Sequence, residues 1–161
     1  MQIFIAGIMQ GSREGKGISE QSYRRTITEA ILARYPAIEI VDPFTLHPSS
    51  VGYDPEEGRR TFFDMAARAA RADLLVAYVP EASMGTAIEM WQAYQAAVPV
   101  LTISPLAENW VVKFLSARIF PTMAAFTAFV ADGGLDEFMD ENRLSNQALT
   151  RATPVTSDDR P

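Results

Sequence analysis

Residues 73–79 (DLLVAYV) and 83–89 (SMGTAIE) decide the fold, because together they predict a buried strand followed at once by a helix. The run from Leu74 to Val79 is continuously apolar, as is typical of a central parallel strand covered on both faces. Ser83 and Thr86 both belong to the residue types that cap helix N-termini, so either can be the cap, and the segment 85–97 is predicted to be helical. The working site is expected at the turn between this strand and this helix.

Strands and helices alternate on both sides of this unit. The sequence predicts strands at 2–6, 38–41, 99–103 and 118–120, and helices at 19–35, 56–71, 109–116 and 122–131. Ser19 is the expected N-cap of the first helix. This order predicts an α/β fold with a doubly wound parallel sheet of about five strands and helices on both faces. Ligands bind outside the carboxyl ends of such strands, so the loops 7–17, 42–55 and 80–86 are the candidate site loops.

Length and composition bound the function. A chain of 161 residues predicts one domain, placed here at 1–140, and a polar, proline-containing stretch predicts a flexible tail at 141–161. The formal charge of -6 argues against nucleic-acid binding, which depends on basic surfaces. The absence of a leader pattern and of any apolar run near ~20 residues predicts a cytoplasmic protein with no membrane partner.

Cysteine and histidine usage excludes several chemistries. The chain has no cysteine, which excludes disulfides and nucleophilic cysteine catalysis. The single histidine, His47, argues against a histidine metal cluster and a Ser-His-Asp triad. No metal site is therefore expected. No cofactor is expected either. His47 itself lies in a predicted loop, where a lone histidine is more often structural or exposed than catalytic.

A glycine-rich loop, residues 7–13 (GIMQGSR), follows the first predicted strand. Such a turn brings backbone N–H groups close to a bound anion or hydroxyl. The loop has neither the Walker A pattern nor the dinucleotide pattern G-x-G-x-x-G. Its candidate binding residues are Gly7, Met9, Gln10 and Gly11, and a surface loop without a ligand fits the pattern equally well.

Two helical carboxylates are candidates for chemistry. Glu89 falls on the first or second turn of its helix, where the helix dipole is expected to keep it ionised and nucleophilic, with Gly85 allowing close packing. Asp64 lies among Phe62, Phe63 and Met65, an apolar setting that would raise its pKa toward general-acid use. The alternative for each is an ordinary surface carboxylate, which composition alone favours for Glu89.

The segments 3–7 (IFIAG), 72–77 (ADLLVA) and 85–89 (GTAIE), with the helix carrying Asp64, resemble the nucleoside 2-deoxyribosyltransferase family and the related 2′-deoxynucleoside 5′-phosphate N-hydrolases. The resemblance implies a flavodoxin-like sheet and a role in nucleoside salvage. It implies that Glu89 attacks C1′ of the sugar and forms a covalent deoxyribosyl-enzyme, while Asp64 assists the departing base. Retaining glycosidases use the same two-carboxylate mechanism with a covalent intermediate. A second nucleobase or water then accepts the sugar.

Two departures from the family pattern bear on these roles. Asp64 lies nine residues before Asp73, whereas the family spacing is eight, so Met65 stands at the family position. A shift of one residue along a helix rotates the side chain by about 100° around the helix axis. Ser83 stands where transferases often carry an aspartate that contacts the substrate and where the N-hydrolases carry a phosphate-binding serine. However, Ile8 and Gln10 replace the hydroxyl and the arginine of the hydrolase phosphate loop.

Three functions therefore remain open at the level of sequence. Transfer of a deoxyribosyl group between nucleobases is slightly favoured, hydrolysis of nucleoside 5′-monophosphates is the alternative, and a non-catalytic nucleotide-binding module is the third. The resemblance also implies a homo-oligomer, a dimer or larger, whose sites lie at the subunit interface. Asn109 is the candidate residue that a neighbouring subunit would contribute.

Overall fold

The computed structural model describes residues 1–10 and 17–142 and contains one five-stranded parallel sheet. Its strands are β1 (Gln2–Gly7), β2 (Glu39–Val41), β3 (Leu74–Tyr78), β4 (Val100–Ile103) and β5 (Arg118–Phe120). The strand order across the sheet is β2-β1-β3-β4-β5. This is the flavodoxin-like order, so the predicted doubly wound α/β fold is confirmed.

Within the described ranges five helices connect the strands, and a sixth follows β5. They are α1 (Ser22–Arg34), α2 (Pro43–Leu46), α3 (Pro55–Ala69), α4 (Met84–Gln95), α5 (Trp110–Leu115) and α6 (Met123–Ala131). A 3₁₀ turn (Ser50–Gly52) lies between α2 and α3, and residues 134–142 are helical as well. None of the helices in this part of the chain is long and apolar enough to cross a membrane. Most of the predicted tail, 143–161, lies outside the described residues.

The sheet is covered by helices on both faces because its strands are apolar on both sides. Along β1, Ile3 and Ile5 point to the layer formed by α1 and α6, while Phe4 and Ala6 point to the layer of α3, α4 and α5. All four side chains are fully buried. The sheet therefore presents its ends, and not its faces, to a ligand.

The prediction that Ser19 caps the first helix is wrong. The helix begins at Ser22, and the Glu20 carboxylate accepts a hydrogen bond from the Ser22 N–H at 2.7 Å. Ser19 instead donates its backbone N–H to the Met9 carbonyl at 2.6 Å. That bond ties the segment before α1 to the loop after β1.

The connection that leaves β2 holds structure that the sequence pattern did not predict. Asp42 caps α2 by accepting from the Phe44 N–H at 3.1 Å. Asp54 caps α3 by accepting from the Glu56 N–H at 2.9 Å and the Glu57 N–H at 2.8 Å. These two caps fold the crossover over the carboxyl end of the sheet. The chain leaves β1 for β2 on one side and reaches β3 on the other, so a crevice opens at this switch point.

Candidate active site

A cavity of about 380 Å³ occupies the crevice at the carboxyl ends of β1 and β3. Pockets of this size hold small organic ligands. Four segments form its walls: the end of β1 with the residues after it, the α2–3₁₀ crossover, one side of α3, and the first half of α4. Site residues predicted from different parts of the sequence meet here, namely Gly7, Met9, Gln10, Ser83, Gly85 and Glu89.

Glu89 lies on the second turn of α4 and lines this pocket. Burial is the largest influence on it and raises the pKa of Glu89 to about 8; nearby Arg24 lowers the value and Asp42 raises it. The prediction that the helix dipole keeps Glu89 ionised is therefore wrong. The dipole acts mainly within the first turn of a helix, and desolvation outweighs it at the sixth helical residue.

A buried ion pair beside the pocket holds two strand ends together. Arg24 of α1 donates to Asp42 Oδ1 at 2.7 Å, and both side chains are almost completely buried. The same guanidinium donates to the carbonyls of Ile5 at 3.1 Å and Gly7 at 3.0 Å. Arg24 thus joins the end of β1 to the residue after β2, and it places a positive charge near Glu89.

The glycine-rich loop begins in a tightly packed position. A Cβ at Gly7 would collide with the ring of Tyr23, whose hydroxyl donates to the Ile8 carbonyl at 3.0 Å. Ile8 is buried, so its side chain points into the core, while Met9 and Gln10 line the pocket as predicted. Gly11, the fourth predicted binding residue of this loop, lies outside the described residues.

Ser83 and Gly85 stand at the N-terminus of α4. The Ser83 hydroxyl accepts from the Thr86 N–H at 3.4 Å and from the Thr86 hydroxyl at 2.9 Å, so the predicted cap is confirmed. The expectation that Gly85 allows close packing is wrong, because no atom lies within 4 Å of a Cβ built there. The missing side chain instead leaves the pocket open beside Ser83.

Asp64 is not brought together with Glu89. Its carboxylate accepts from Arg68 Nε at 2.8 Å, one helical turn away, and its side chain is 41% exposed. The expectation of an apolar setting is wrong, because the positions of α3 that face the pocket include Thr61 and Met65, whereas Asp64 projects outward. Asp73, the residue from which the family spacing is counted, accepts from the Gln2 N–H at the opposite end of the sheet.

His47 and Tyr53 both line the pocket. The sequence favours a structural or exposed position for His47, and it suggests Tyr53, with Phe44, only as a ring that could stack on a base; Phe44 is absent from the lining. His47 Nδ1 lies 3.1 Å from the Tyr53 hydroxyl, and the two rings meet edge to face at 5.9 Å. A usable signal was present, since both residues lie in the loop that follows β2, one of the three candidate site loops. The short helix α2 then turns that loop toward the cavity.

Asn109 lies at the N-terminus of α5 and is absent from the lining of its own chain's pocket. Its side-chain oxygen accepts from the Val111 N–H at 3.0 Å and the Val112 N–H at 3.4 Å. The described structure thus explains Asn109 as a helix cap. A contribution to a neighbouring subunit remains a prediction.

Large apolar side chains are exposed along the outer side of α3, α4 and α5. On α4, Met84, Ile88 and Trp91 recur at helical spacing, and Met84 is 84% exposed. We call this surface the apolar face; its members are Phe62, Phe63, Met84, Ile88, Trp91, Tyr94, Trp110, Val111 and Phe114. Phe62, Met84 and Ile88 also line the pocket, so the face borders the mouth of the site.

No family model matches the chain, and no curated protein matches its sequence. Solved structures do match the fold. The 2-deoxyribosyltransferase of Bacillus psychrosaccharolyticus aligns with a TM-score of 0.57 and 17% identity, over 79% of this chain and 90% of that one. The chain shares the fold of this transferase. The flavodoxin-like architecture that the resemblance implied is therefore confirmed.

Two further structures are similar. A conserved protein of Enterococcus faecalis V583 aligns with a TM-score of 0.56 and 18% identity, over 82% of this chain and 98% of that one. The Clostridium botulinum CMP N-glycosidase BcmB aligns with a TM-score of 0.48 and 17% identity, over 81% and 98% of the two chains.

Proposed function

We propose that this protein cleaves the N-glycosidic bond of 2′-deoxynucleosides and transfers the deoxyribosyl group to another nucleobase. In this scheme a Glu89 oxygen attacks C1′, and the C1′–N bond breaks with its electron pair going to the base. A second base then attacks C1′ and displaces Glu89. Two displacements at one carbon retain the configuration of the sugar.

The observation that carries this proposal is the position of Glu89. Among residues 1–10 and 17–142 it is the single carboxylate that lines the pocket. Its raised pKa leaves a minor fraction of the ligand-free protein with Glu89 ionised at neutral pH, and this fraction attacks C1′ after the carboxyl proton has been released to solvent. The ionised form is stabilised when positive charge develops at C1′, so the partly buried carboxylate favours the transition state over the ground state.

Base exchange tests the proposal directly. Incubation with 2′-deoxyadenosine and cytosine should yield 2′-deoxycytidine, separated by chromatography. Mass spectrometry of the quenched protein should show the added mass of one deoxyribosyl group on the peptide that contains Glu89. Glu89→Ala should abolish both signals, whereas Glu81→Ala, which removes an exposed carboxylate eight residues earlier, should keep them. Free adenine appearing at the same rate with and without cytosine would contradict transfer.

Hydrolysis of nucleoside 5′-monophosphates is the second candidate. The Ser83 hydroxyl supports it, because this group accepts two hydrogen bonds from Thr86 and keeps its own hydrogen for an oxygen of the ligand. The described pocket wall argues against it, since no lysine or arginine of residues 1–10 and 17–142 lines the cavity. Comparing kcat/KM on 2′-deoxyadenosine and its 5′-monophosphate separates the two, and a preference for the monophosphate would reverse our choice.

We also propose that the protein forms a homodimer through the apolar face. Exposed patches of this kind mark association surfaces in soluble domains. Because Phe62, Met84 and Ile88 belong both to the face and to the pocket, a second copy seated there would close the mouth of the site. A self-association surface on α4 and α5 would also bring Asn109 close to the partner.

Light scattering tests the dimer. The wild type should have twice the 17.8 kDa mass of one chain. Trp91→Glu introduces a charge at the centre of the face and should give a monomer with lower activity. Ala33→Glu, at an exposed position of α1 on the other side of the sheet, is the matched control and should stay dimeric. A wild type that is still monomeric at about 50–100 μM would exclude the dimer, because even a weak association is populated at that protein concentration.

A further inference from the structure

The proposed reaction needs a proton donor that the predicted site does not supply. A nucleobase leaves with the electron pair of the broken C1′–N bond, and it leaves readily when a proton reaches it in the same step. Such general acid catalysis contributes roughly 10²–10⁴ in rate. The predicted donor, Asp64, is outside the pocket and is engaged by Arg68.

The described pocket wall contains three titratable side chains, Glu89, His47 and Tyr53. Glu89 is assigned to attack on the sugar. A phenol hydroxyl is a weaker proton donor than a protonated imidazole. An imidazole nitrogen can both give and take a proton, which is what general acid and base catalysis requires. His47 is therefore the lining residue with suitable chemistry.

The local structure holds the His47 ring in place. His47 is the C-cap of α2, and its backbone N–H donates to the Pro43 carbonyl at 2.9 Å. Its Nδ1 lies 3.1 Å from the Tyr53 hydroxyl, so one ring nitrogen is engaged by a neighbour and Nε2 is left for a ligand. The Tyr53 hydroxyl can donate to Nδ1 or accept from Nδ1–H, and in the protonated ring both nitrogens carry a hydrogen, so Nε2 then holds the proton that a departing base would receive.

We infer that His47, oriented by Tyr53, is the general acid and base of this site in place of the helical aspartate that the family resemblance implied. The inference rests on the proposed function. In the first step His47 donates a proton to the departing base as Glu89 bonds to C1′. In the second step the acceptor base bonds to C1′, the bond to Glu89 breaks, and the proton released by the acceptor base returns to His47.

This role differs from a structural one in its dependence on the leaving group. The base of 7-methyl-2′-deoxyguanosine already carries a positive charge, so it departs as a neutral molecule without receiving a proton. A variant that lacks the acid should therefore lose activity on 2′-deoxyadenosine and keep it on the methylated nucleoside. A variant whose pocket is merely distorted should lose activity on both substrates alike.

The experiment measures kcat/KM on both substrates for the full chain. His47→Gln should lower the value at least about a hundredfold on 2′-deoxyadenosine and by less than about fivefold on 7-methyl-2′-deoxyguanosine. Tyr53→Phe should lower kcat/KM on 2′-deoxyadenosine about fivefold and leave the value on the methylated nucleoside nearly unchanged, because it removes one neutral hydrogen bond to His47. His47→Asn, with thermal melting measured for each variant, repeats the test if His47→Gln folds poorly.

Two results would overturn the inference. Equal losses on both substrates in His47→Gln would make His47 a structural residue, and a selective loss in Asp64→Asn instead would return the acid role to Asp64. In either case an inactive Glu89→Ala with an active wild type would leave the proposed function standing. Failure of the wild type to cleave either nucleoside would remove the proposed function, and the inference with it.

Discussion

The surroundings of Glu89 and of Asp64 differ, although both residues are carboxylates on helices of the same layer. Glu89 faces the pocket, where burial raises its pKa and the buried Arg24–Asp42 pair lies nearby. Asp64 faces solvent and pairs with Arg68, whose side chain is 44% exposed. The difference shows that the neighbouring elements, and not the helical position alone, decide whether a carboxylate is available for chemistry.

The largest difference is expected between Arg24, near Glu89, and Arg68, beside Asp64, when each is replaced and the free energy of unfolding is measured. Arg24→Met leaves Asp42 buried without its partner and removes the donors to the carbonyls of Ile5 and Gly7. The free energy of unfolding should fall by about 3–5 kcal/mol. Arg68→Met, the matched variant, should change it by about 0.5 kcal/mol or less, because its ion pair is screened by water. Urea denaturation of both variants measures this, and equal losses would contradict the comparison.

Glu89 and Asp64 should also differ in how much each contributes to the pH dependence of the free energy of unfolding. The folded protein holds the Glu89 proton up to about pH 8, whereas the unfolded chain releases it near 4.5. This contribution to stability is fully present below about pH 4.5 and is lost as the pH rises through 8. Glu89→Gln removes the effect, so its stability relative to wild type should rise by about 4 kcal/mol between pH 5 and 8.5.

Urea denaturation at the two pH values measures this difference. Asp64→Asn serves as the control, since its half-exposed carboxylate should leave the wild-type pH profile unchanged to within about 0.5 kcal/mol. A Glu89→Gln variant that runs parallel to wild type over this range would show that Glu89 is ionised in the folded protein, as the helix dipole alone predicted.

The smallest effect is expected for the activity of Asp64→Asn. Because Asp64 lies outside the pocket, kcat/KM on 2′-deoxyadenosine should stay within about twofold of wild type. Steady-state kinetics measures this. A loss of a hundredfold or more would mean that α3 turns Asp64 toward the substrate when the site is occupied.

The site was predictable where a local pattern determines the structure. The apolar run of β3, the cap at Ser83 and the helix after it follow from neighbouring residues, and they place Glu89 near the carboxyl end of the sheet. The direction in which Asp64 points was not predictable from the same kind of pattern. Phe62, Phe63 and Met65 put apolar side chains on several sides of α3, so the sequence marks no single buried face, and Phe63 is 59% exposed in the fold.

The sequence by itself determined the order of the five strands and the cap at Ser83, because these depend on hydrophobic periodicity and on hydrogen bonds between near neighbours, while the family resemblance supplied Glu89 as the candidate nucleophile. Tertiary structure decided the rise in the pKa of Glu89 and the membership of His47 in the pocket. The first depends on desolvation and on charges from α1 and the residue after β2, and the second on how the crossover folds over the sheet. Both require contacts between segments that are distant along the chain, which a local pattern does not contain.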